Sequence, residues 1–467
     1  MLEDKKRIIA LLEGKKILFV GLGVSHNAIT GHLAGEGLDI TACDKRMPAE
    51  LDAATLEQLR GKGVRLLLGE DYPVRFEGDV LFRTPGMYFF SAELNDFRAR
   101  GGIVTSEMEL FCEFCPCPVL AVTGSDGKTT TTTLIAELLL AQGHTVHLGG
   151  NIGRAMLAEL EHIAPTDLAV LELSSFQLIS MRCAPQVSVV TNMTPNHLDV
   201  HKDMPEYIGA KKNIYAHQNA FSVTVLGADN DITASMVPEV RGRCEMFSLK
   251  GRVERGAYLR GDGMLCRVDG ESETPILHRD EIRLPGEHNI ANLLAAICAA
   301  GDRVSPETVA GVARIFNGVE HRIELVRELG GVKWYNDSIA TSPTRAMAGL
   351  ASFSQKIILI AGGYDKNLSY DPLAPALCGK VKLLILMGAT ADKIEAALRG
   401  YTGYKEGAPV ILRAEDMAGA VTLAHEHAGQ GDVVSLSPAS ASFDCYRNFE
   451  ERGRHFKGLV GQLTVDS

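Results

Sequence analysis

The chain has 467 residues, of which 46% are hydrophobic and 22% charged, and its formal net charge is −11. At this length we expect roughly two to four domains, and the composition excludes a disordered chain or a fibre. The acidic balance argues against general binding to nucleic acid or to anionic membranes, because both attract a surplus of Lys and Arg.

The N-terminal residues 1–13 combine charges with Ile and Leu at helical spacing, and they lack the apolar core of a signal peptide. The longest apolar runs, such as residues 381–387, have the length of a strand and are far shorter than the ~20 residues of a membrane-spanning helix. We therefore expect a cytoplasmic protein without membrane insertion.

The first α/β segment begins with an apolar strand at Lys16–Val20, followed by a turn at residues 21–25, a helix, and a second strand that ends at Asp44. Strand, glycine-containing turn, helix and acid-tipped strand form a βαβ unit of the kind that binds nucleotides. His26 and Asn27 stand where a dinucleotide fingerprint has further glycines, which weakens a dehydrogenase interpretation. We assign residues 1–115 to this domain.

Ten cysteines are spread through the chain, which at this size is typical of reduced thiols. Cys112, Cys115 and Cys117 include a CxxC, which could be half of a zinc site. Because no second Cys or His pair stands at metal spacing, we interpret these residues as linker or core thiols.

Two further segments follow, which we place at residues 116–319 and 320–467. The second has strands at residues 119–122, 167–173 and 187–191, an antiparallel excursion at 247–284 and then an Ala/Leu-rich helix. The third has strands at residues 356–361, 381–387, 410–412 and 433–436. Strands that alternate with helices indicate parallel sheets. We predict an α/β chain of three domains: Rossmann-like at the N-terminus, a central P-loop ATPase domain with a mostly parallel sheet, and a Rossmann-like α/β domain at the C-terminus.

A glycine-rich loop follows the first strand of the second segment and precedes a helix. Such a loop presents backbone N–H groups to phosphate, while Lys128 can reach the β/γ-phosphates and the Thr129 hydroxyl can bind Mg²⁺. Val122 stands where the standard Walker pattern has its first glycine, so this is a shortened variant. The negative charge of Asp126 requires that its side chain face away from phosphate. ATP binding is predicted at Gly124, Ser125, Asp126, Gly127, Lys128, Thr129 and Thr130.

Two residues after the next strands are candidate ligands. Glu172 ends an apolar strand beside the loop, which is the usual position for an acid that completes Mg²⁺ coordination. His197 follows the strand at residues 187–191 and, taken alone, is an ordinary loop histidine.

Together these motifs resemble the Mur ligase family, ATP-dependent amide-forming enzymes of peptidoglycan assembly. The resemblance covers nearly the whole chain and depends on Thr123-Gly-Ser-Asp-Gly-Lys-Thr129, Gly149-Gly-Asn-Ile-Gly153, Leu171-Glu-Leu-Ser-Ser-Phe-Gln177, Asn192-Met-Thr-Pro-Asn-His-Leu-Asp199, Gly286-Glu-His-Asn289, Glu320-His-Arg322 and Asn336-Asp-Ser338. Within the family, residues 171–178, 334–338 and 436–453 are most similar to the members that add D-glutamate.

The resemblance implies that the chain joins D-glutamate to UDP-N-acetylmuramoyl-L-alanine through an acyl phosphate, with ATP and two Mg²⁺ ions. It implies catalytic roles for Lys128, Glu172, His197 and Lys211. The first ion would be held by Thr129 and Glu172. The second would be held by His197 and by a CO₂-derived carbamate on Lys211, because an ammonium group has no lone pair for a metal.

The resemblance also implies three sets of binding residues. The UDP-linked substrate would contact Val24, Ser25, Asp44, Thr84, Asn151, Ser174 and His197. ATP would also contact Asn289, Asn292, Arg322 and Asp337. D-Glutamate would contact Thr341, Lys366, Ser442, Phe443 and Phe449, although core packing is nearly as good an interpretation of Phe449. Ile339 stands where relatives often carry Lys, and we assign it no role. Closure of the third domain about residues 317–320 is expected.

Three alternatives remain open. Another amide ligase of this architecture would use a different amino acid or folate, and residues 437–453 argue against that. A nonenzymatic nucleotide-binding switch is disfavoured by the shortened loop and the third domain. A dehydrogenase is disfavoured by the turn at residues 21–27.

Overall fold

A computed structural model describes residues 2–152, 155–195, 200–284, 286–366 and 368–464. The chain divides into two compact units, Met1–Phe316 and Asn317–Ser467. Within the described ranges, no helix combines the length and the apolar character needed to cross a membrane. The ten cysteines are free thiols, as the sequence indicated.

The first unit begins with a five-stranded parallel sheet. Its strands are β1 (Lys16–Val20), β2 (Asp39–Asp44), β3 (Arg65–Leu68), β4 (Val80–Arg83) and β5 (Ile103–Thr105), in the order β3-β2-β1-β4-β5. Its helices are α1 (Leu2–Leu12), α2 (Val24–Ala34), α3 (Ala53–Gly61), α4 (Ala92–Ala99) and α5 (Glu107–Phe114). Asp52, Ser91 and Ser106 cap the N-termini of α3, α4 and α5 through their side-chain oxygens, as such residues commonly do. The central strand β1 is buried on both faces.

The second sheet of this unit has nine strands. They are β6 (Val119–Thr123), β7 (Val146–Gly150), β8 (Leu168–Glu172), β9 (Val187–Val190), β10 (Val223–Gly227), β11 (Arg243–Ser248), β12 (Arg255–Leu259), β13 (Met264–Asp269) and β14 (Ser272–His278). The order is β14-β13-β12-β11-β10-β9-β6-β8-β7. The predicted antiparallel excursion is found in β12–β14, whereas β11 pairs with β12 in parallel.

Helices cover this second sheet. They are α6 (Lys128–Ala141), α7 (Met156–Glu159), α8 (Ser175–Leu178), α9 (Met204–Ala216), α10 (Asp231–Ala234), α11 (Glu287–Ala300) and α12 (Pro306–Ile315). The apolar faces of α6 and α11 share one buried cluster with β6, β8 and β9. Because β8 and β9 pair with β6 on either side, Glu172 and the residues after Val190 end beside the phosphate loop.

The second unit is built on one six-stranded sheet. Its strands are β15 (Glu324–Leu329), β16 (Val332–Asn336), β17 (Ile357–Ala361), β18 (Val381–Leu386), β19 (Val410–Arg413) and β20 (Val433–Leu436), in the order β15-β16-β20-β17-β18-β19. Its helices are α13 (Pro343–Ala351), α14 (Ala374–Lys380), α15 (Ala391–Gly400), α16 (Met417–His427) and α17 (Phe449–Gln462). All pairs are parallel except the β15–β16 hairpin, whose Gly330 and Gly331 both have positive φ. The α/β class with mostly parallel sheets is confirmed.

Candidate active site

The phosphate loop between β6 and α6 depends on two glycines with positive φ. Gly124 has φ +148° and Gly127 has φ +76°. A Cβ atom at Gly124 would overlap the Thr191 side chain, and one at Gly127 would overlap the Asn292 side chain. The Lys128 ammonium donates to the carbonyls of Gly124 (3.0 Å) and Ser125 (2.8 Å), so it lies over the loop whose amides would receive phosphate.

Ser125 contacts a buried tyrosine that was not predicted from the sequence. Its hydroxyl donates to Thr194 O and lies 2.9 Å from the hydroxyl of Tyr207, a buried residue of α9. The next residue, Asp126, has an exposed side chain, while its backbone N–H donates to Asn192 Oδ1 at 2.9 Å. The loop is thus held through its serine and its backbone.

Glu172, at the end of β8, is a buried carboxylate with one free oxygen. Its Oε1 accepts from Asn151 Nδ2 at 2.8 Å, and Asn151 N donates to Glu172 O at 2.7 Å. Its Oε2 is buried and accepts no hydrogen bond from any residue in the described ranges. Since an unpaired buried anionic oxygen is costly, this atom fits a bound cation, and oxygen ligands are those that Mg²⁺ prefers.

Lys211 lies on α9 with 2% of its surface exposed. Its Nζ donates to Gly124 O at 2.7 Å and to Thr123 Oγ1 at 3.2 Å. Burial, reinforced by the charge of Lys128, lowers the pKa of the Lys211 ammonium to about 6. The neighbouring Lys212 instead pairs at the surface with Glu239. Two adjacent lysines therefore have opposite environments, and the buried one is an amine that loses its proton easily.

These residues fit a divalent cation. Glu172 offers a free oxygen, and Thr129 is a buried hydroxyl residue in the first turn of α6, followed by the half-buried Thr130. His197, predicted as a ligand of the second ion, lies outside the described residues. Asn292, on α11, accepts from Thr131 at 3.3 Å and donates to Asn289 at 3.3 Å, which places this asparagine pair against the start of α6.

A cavity of about 160 Å³ lies in the first unit. The turn after β4 contributes Thr84 and α8 contributes Gln177, whose Oε1 accepts from the Ser174 hydroxyl at 3.0 Å. His26 also lines it. Burial lowers the pKa of His26 to about 4, and its neutral ring bonds to Gly21 O at 2.8 Å. The residue that interrupts the glycine fingerprint thus holds the turn in place.

Asp44 lies at the end of β2, but its acceptor positions are already used. Its two oxygens accept from the backbone N–H groups of Leu22 and Arg46 and from the Arg46 guanidinium. Although burial opposes it, these hydrogen bonds lower the pKa of Asp44 to about 2. A further hydrogen bond from a ligand would have to displace one of them, since a carboxylate has about four acceptor sites. Val24 and Ser25 begin α2, and their side chains are outside the description.

In the second unit, Arg322, one of the predicted nucleotide residues, lies within a strained segment. His321 and Ile323 have positive φ (65° and 46°) on either side of the half-buried Arg322. Asp337 is 4% exposed, accepts from the Ser437 hydroxyl at 2.7 Å, and has its pKa raised to about 7 by burial. Positive φ at non-glycine residues is commonly retained at functional sites.

The residues predicted to bind D-glutamate separate into two groups. The Lys366 ammonium lies 5.9 Å from the ring of Phe443, which is 59% exposed and available to a ligand. Ser442 is buried, whereas Thr341 and Phe449 are half-buried, and the ring of Phe449 packs edge-on against His321. Both interpretations of Phe449, a ligand contact and core packing, therefore stay predictions.

Sequence reasoning missed two buried arginines. Arg452, on α17, donates to Ser338 and to the carbonyls of Ser440 and Ala441, and it holds together loops that carry predicted ligand residues. Arg83 ends β4. In each case the available signal was a charged residue inside an apolar pattern, which implies a buried partner.

Family models and curated relatives both match this chain to Mur ligases over most of its length. A model of the Mur ligase middle domain matches residues 122–300, and one of the Mur ligase glutamate ligase domain matches residues 321–440. The UDP-N-acetylmuramoylalanine–D-glutamate ligase of Acetivibrio thermocellus is 51% identical over 457 residues, 97% of this chain and 98% of that protein. The enzyme of the same name from Ruminiclostridium cellulolyticum is 47% identical over 97% of both chains.

Solved structures share the fold at low sequence identity. The UDP-N-acetylmuramate–alanine ligase of Thermotoga maritima has a TM-score of 0.54 at 18% identity and covers 96% of this chain and 99% of its own. A pseudomurein peptide ligase type C from Methanothermus fervidus has a TM-score of 0.51 at 17% identity and covers 96% and 100%. With about half of all positions identical to named ligases over nearly its whole length, the chain belongs to the Mur ligase family.

Proposed function

We propose that the chain is an ATP-dependent ligase that joins the amine of D-glutamate to the carboxylate of UDP-N-acetylmuramoyl-L-alanine, with release of ADP and phosphate, in peptidoglycan precursor synthesis. The observation that carries this proposal is the 51% identity over 97% of the chain to a ligase named for that reaction. The site geometry supports the same chemistry, because the phosphate loop, Glu172 and Lys211 lie at one end of the second sheet.

The reaction must overcome the low reactivity of a carboxylate. Transfer of the γ-phosphoryl of ATP makes an acyl phosphate, which the amine of D-glutamate then attacks, releasing phosphate. Lys128 would hold the β/γ-phosphates, and the loop amides would donate hydrogen bonds to their oxygens. Mur ligases use ATP and Mg²⁺, and Mg²⁺, when bound, neutralises the converging phosphate charges. Thr129 and Glu172 would hold it.

Carbamylation of Lys211 is part of the proposal. A neutral amine adds to CO₂ with formation of an N–C bond and loss of one proton, and the product offers the anionic oxygens that a hard cation needs. Lys211 has the required environment because it is buried, faces the loop through Gly124 and Thr123, and has Lys128 beside it. His197 would complete this second metal site, and Lys366 with Phe443 would receive the side chain of D-glutamate.

One assay tests the proposal. ADP release is measured with UDP-N-acetylmuramoyl-L-alanine and each of D-glutamate, L-lysine, L-alanine and glycine. We expect turnover that requires the UDP-linked substrate and strongly favours D-glutamate. Equal turnover with L-lysine or L-alanine would show a ligase of different specificity, and NAD(P)H binding without ADP release would favour a dehydrogenase.

A further inference from the structure

Arg83 is a buried cation, 1% exposed, at the end of the otherwise apolar β4. Its guanidinium donates to two carbonyls of the turn that follows it, Thr84 O at 3.3 Å and Met87 O at 2.8 Å. A further hydrogen bond reaches Phe176 O of α8 (2.6 Å), and another reaches Ser180 Oγ (2.9 Å), two residues after that helix. One side chain therefore joins the first sheet of the unit to a helix of the second.

The two segments that Arg83 joins are walls of one cavity. Thr84 and Pro85 come from the turn and Gln177 comes from α8, and with Arg83 they line the cavity of about 160 Å³. The helix α8 has four residues, too few to be stable by its own hydrogen bonds, so its place depends on tertiary contacts. Arg83 supplies one of these contacts, at Phe176 O, and a second just after the helix, at Ser180.

Stability alone does not account for an arginine here. Burial lowers its pKa to about 10, partly offset by the charge of Glu109, so the side chain stays charged at neutral pH. Its Nε is buried without a hydrogen-bond partner in the part of the chain that the structure describes. An apolar side chain of similar volume would avoid this desolvation cost. What an apolar side chain could not do is bond to both walls at once.

We propose that Arg83 is a positioning residue for the UDP-linked substrate, and that it sets the width of the cavity by holding the turn at residues 84–87 against α8. This rests on the proposed function, since it takes the UDP-linked substrate as the occupant. Loss of Arg83 should therefore weaken binding of that substrate specifically. The phosphate loop is held by different contacts, through Ser125 and Tyr207, so ATP binding should not change.

The test compares Arg83→Met with Arg98→Met. Arg98 is a matched control because its guanidinium lies 4.1 Å from the Phe89 ring and donates to Phe89 O, within the N-terminal sheet region and without a bond to α8. Calorimetric titration with UDP-N-acetylmuramoyl-L-alanine should show a Kd at least about tenfold higher for R83M and within about twofold of wild type for R98M. The KM values for ATP and D-glutamate should stay within about twofold in both variants.

Arg83→Lys separates positioning from charge. It keeps the cation but cannot bond to both walls, so its Kd should lie between those of wild type and R83M. A merely structural role would raise the Kd and both KM values together as the melting temperature falls, and that result, or an unchanged Kd in R83M, overturns the proposal. If R83M lacks a native circular dichroism spectrum, an unchanged Kd in both R83K and S180A overturns it.

Assays of the wild-type protein distinguish a failure of the Arg83 proposal from a failure of the proposed function. If wild type binds the UDP-linked substrate and releases ADP with D-glutamate, the function stands whatever R83M does. If wild type does neither, both proposals are wrong.

Discussion

Glu172 and its free oxygen allow a prediction about metal binding that does not depend on activity alone. Glu172→Gln keeps the shape and the acceptor for Asn151 but removes the charge, so kcat should fall by about 10³-fold or more. Because the variant no longer buries an unpaired anion, its melting temperature in EDTA should equal or exceed that of wild type. Added Mg²⁺ should raise the melting temperature of wild type and not that of the variant.

Glu137→Gln, an exposed change on α6, is the control and should alter neither property. An E172Q variant with near-native kcat, or with an undiminished response to Mg²⁺, would show that Glu172 is not a metal ligand.

Lys211 and Lys212 form a natural matched pair for the carbamate. Lys211→Met should lose at least about a hundredfold in kcat, since the second ion would lose its anionic ligand, whereas Lys212→Met removes only a surface ion pair and should stay within about twofold. After labelling with ¹³CO₂, wild type and K212M should show a carbamate ¹³C signal and K211M should not. Wild-type activity in K211M would exclude the carbamate.

Glu107 is expected to make stability depend on pH. It is 7% exposed and accepts from Leu157 N at 2.9 Å, and burial raises its pKa to about 7. Between pH ~4.5 and 7 the folded chain keeps a proton that the unfolded chain has lost, so unfolding free energy falls as pH rises, by at most about 3 kcal/mol.

Glu107→Gln keeps the acceptor and removes the titration, so this decline should be absent from the variant. Urea unfolding at pH 5 and pH 7 measures it, with Glu113→Gln, an exposed change on the same helix, as the control. Identical pH dependence in E107Q and wild type would contradict the assignment.

At the scale of elements, ATP binding by the phosphate loop depends on the loop's glycines. Gly127→Ala should raise the Kd for ATP at least about tenfold, because a Cβ would overlap Asn292 and the positive φ adds backbone strain of about 1–3 kcal/mol. Gly209→Ala, at an exposed site of α9 with open space around it, should be neutral or stabilising by ~0.5–1 kcal/mol. Nucleotide titration and urea unfolding measure both. An unchanged Kd for ATP in G127A would show that the loop accommodates a Cβ beside Asn292.

Several strands of the sheets could be predicted closely because each is a short, mostly apolar run between turns. The strands at Lys16–Val20 and Val433–Leu436 have the predicted bounds, and the other predicted strands differ by one or two residues, but β3, β4, β5, β7 and β10 were not predicted. The β15–β16 hairpin was missed, because β15 is a half-buried edge strand in which Glu324, Arg327 and Glu328 obscure the apolar alternation. Edge strands carry less of the signal on which such predictions depend.

The candidate site could be predicted only where a motif fixes the backbone. The phosphate loop and Glu172 follow from strand ends and glycine spacing. The difference between Lys211 and Lys212 does not, since it depends on which face of α9 meets Thr123 and Gly124. Nor could the hydrogen bonds from the Arg46 guanidinium to the Asp44 carboxylate be foreseen. They occupy the oxygens that a ligand would need.

At the scale of the whole molecule, each unit contains its own sheets and buried clusters. The sheet of β15–β20 and its two apolar clusters use only residues after Phe316 among those described. About 150 residues are enough to bury an independent core. Residues 317–467 alone should therefore fold cooperatively.

The single tryptophan of the chain reports on this directly. Trp334 lies on β16, is fully buried, and packs against Phe456 of α17, so its fluorescence measures the second unit alone. In the isolated unit its emission should be that of a buried indole, and its urea midpoint should lie within roughly 0.5 M of the midpoint in the full chain. Red-shifted emission without urea, or binding of a hydrophobic dye, would show instead that the second unit needs the first in order to pack its core.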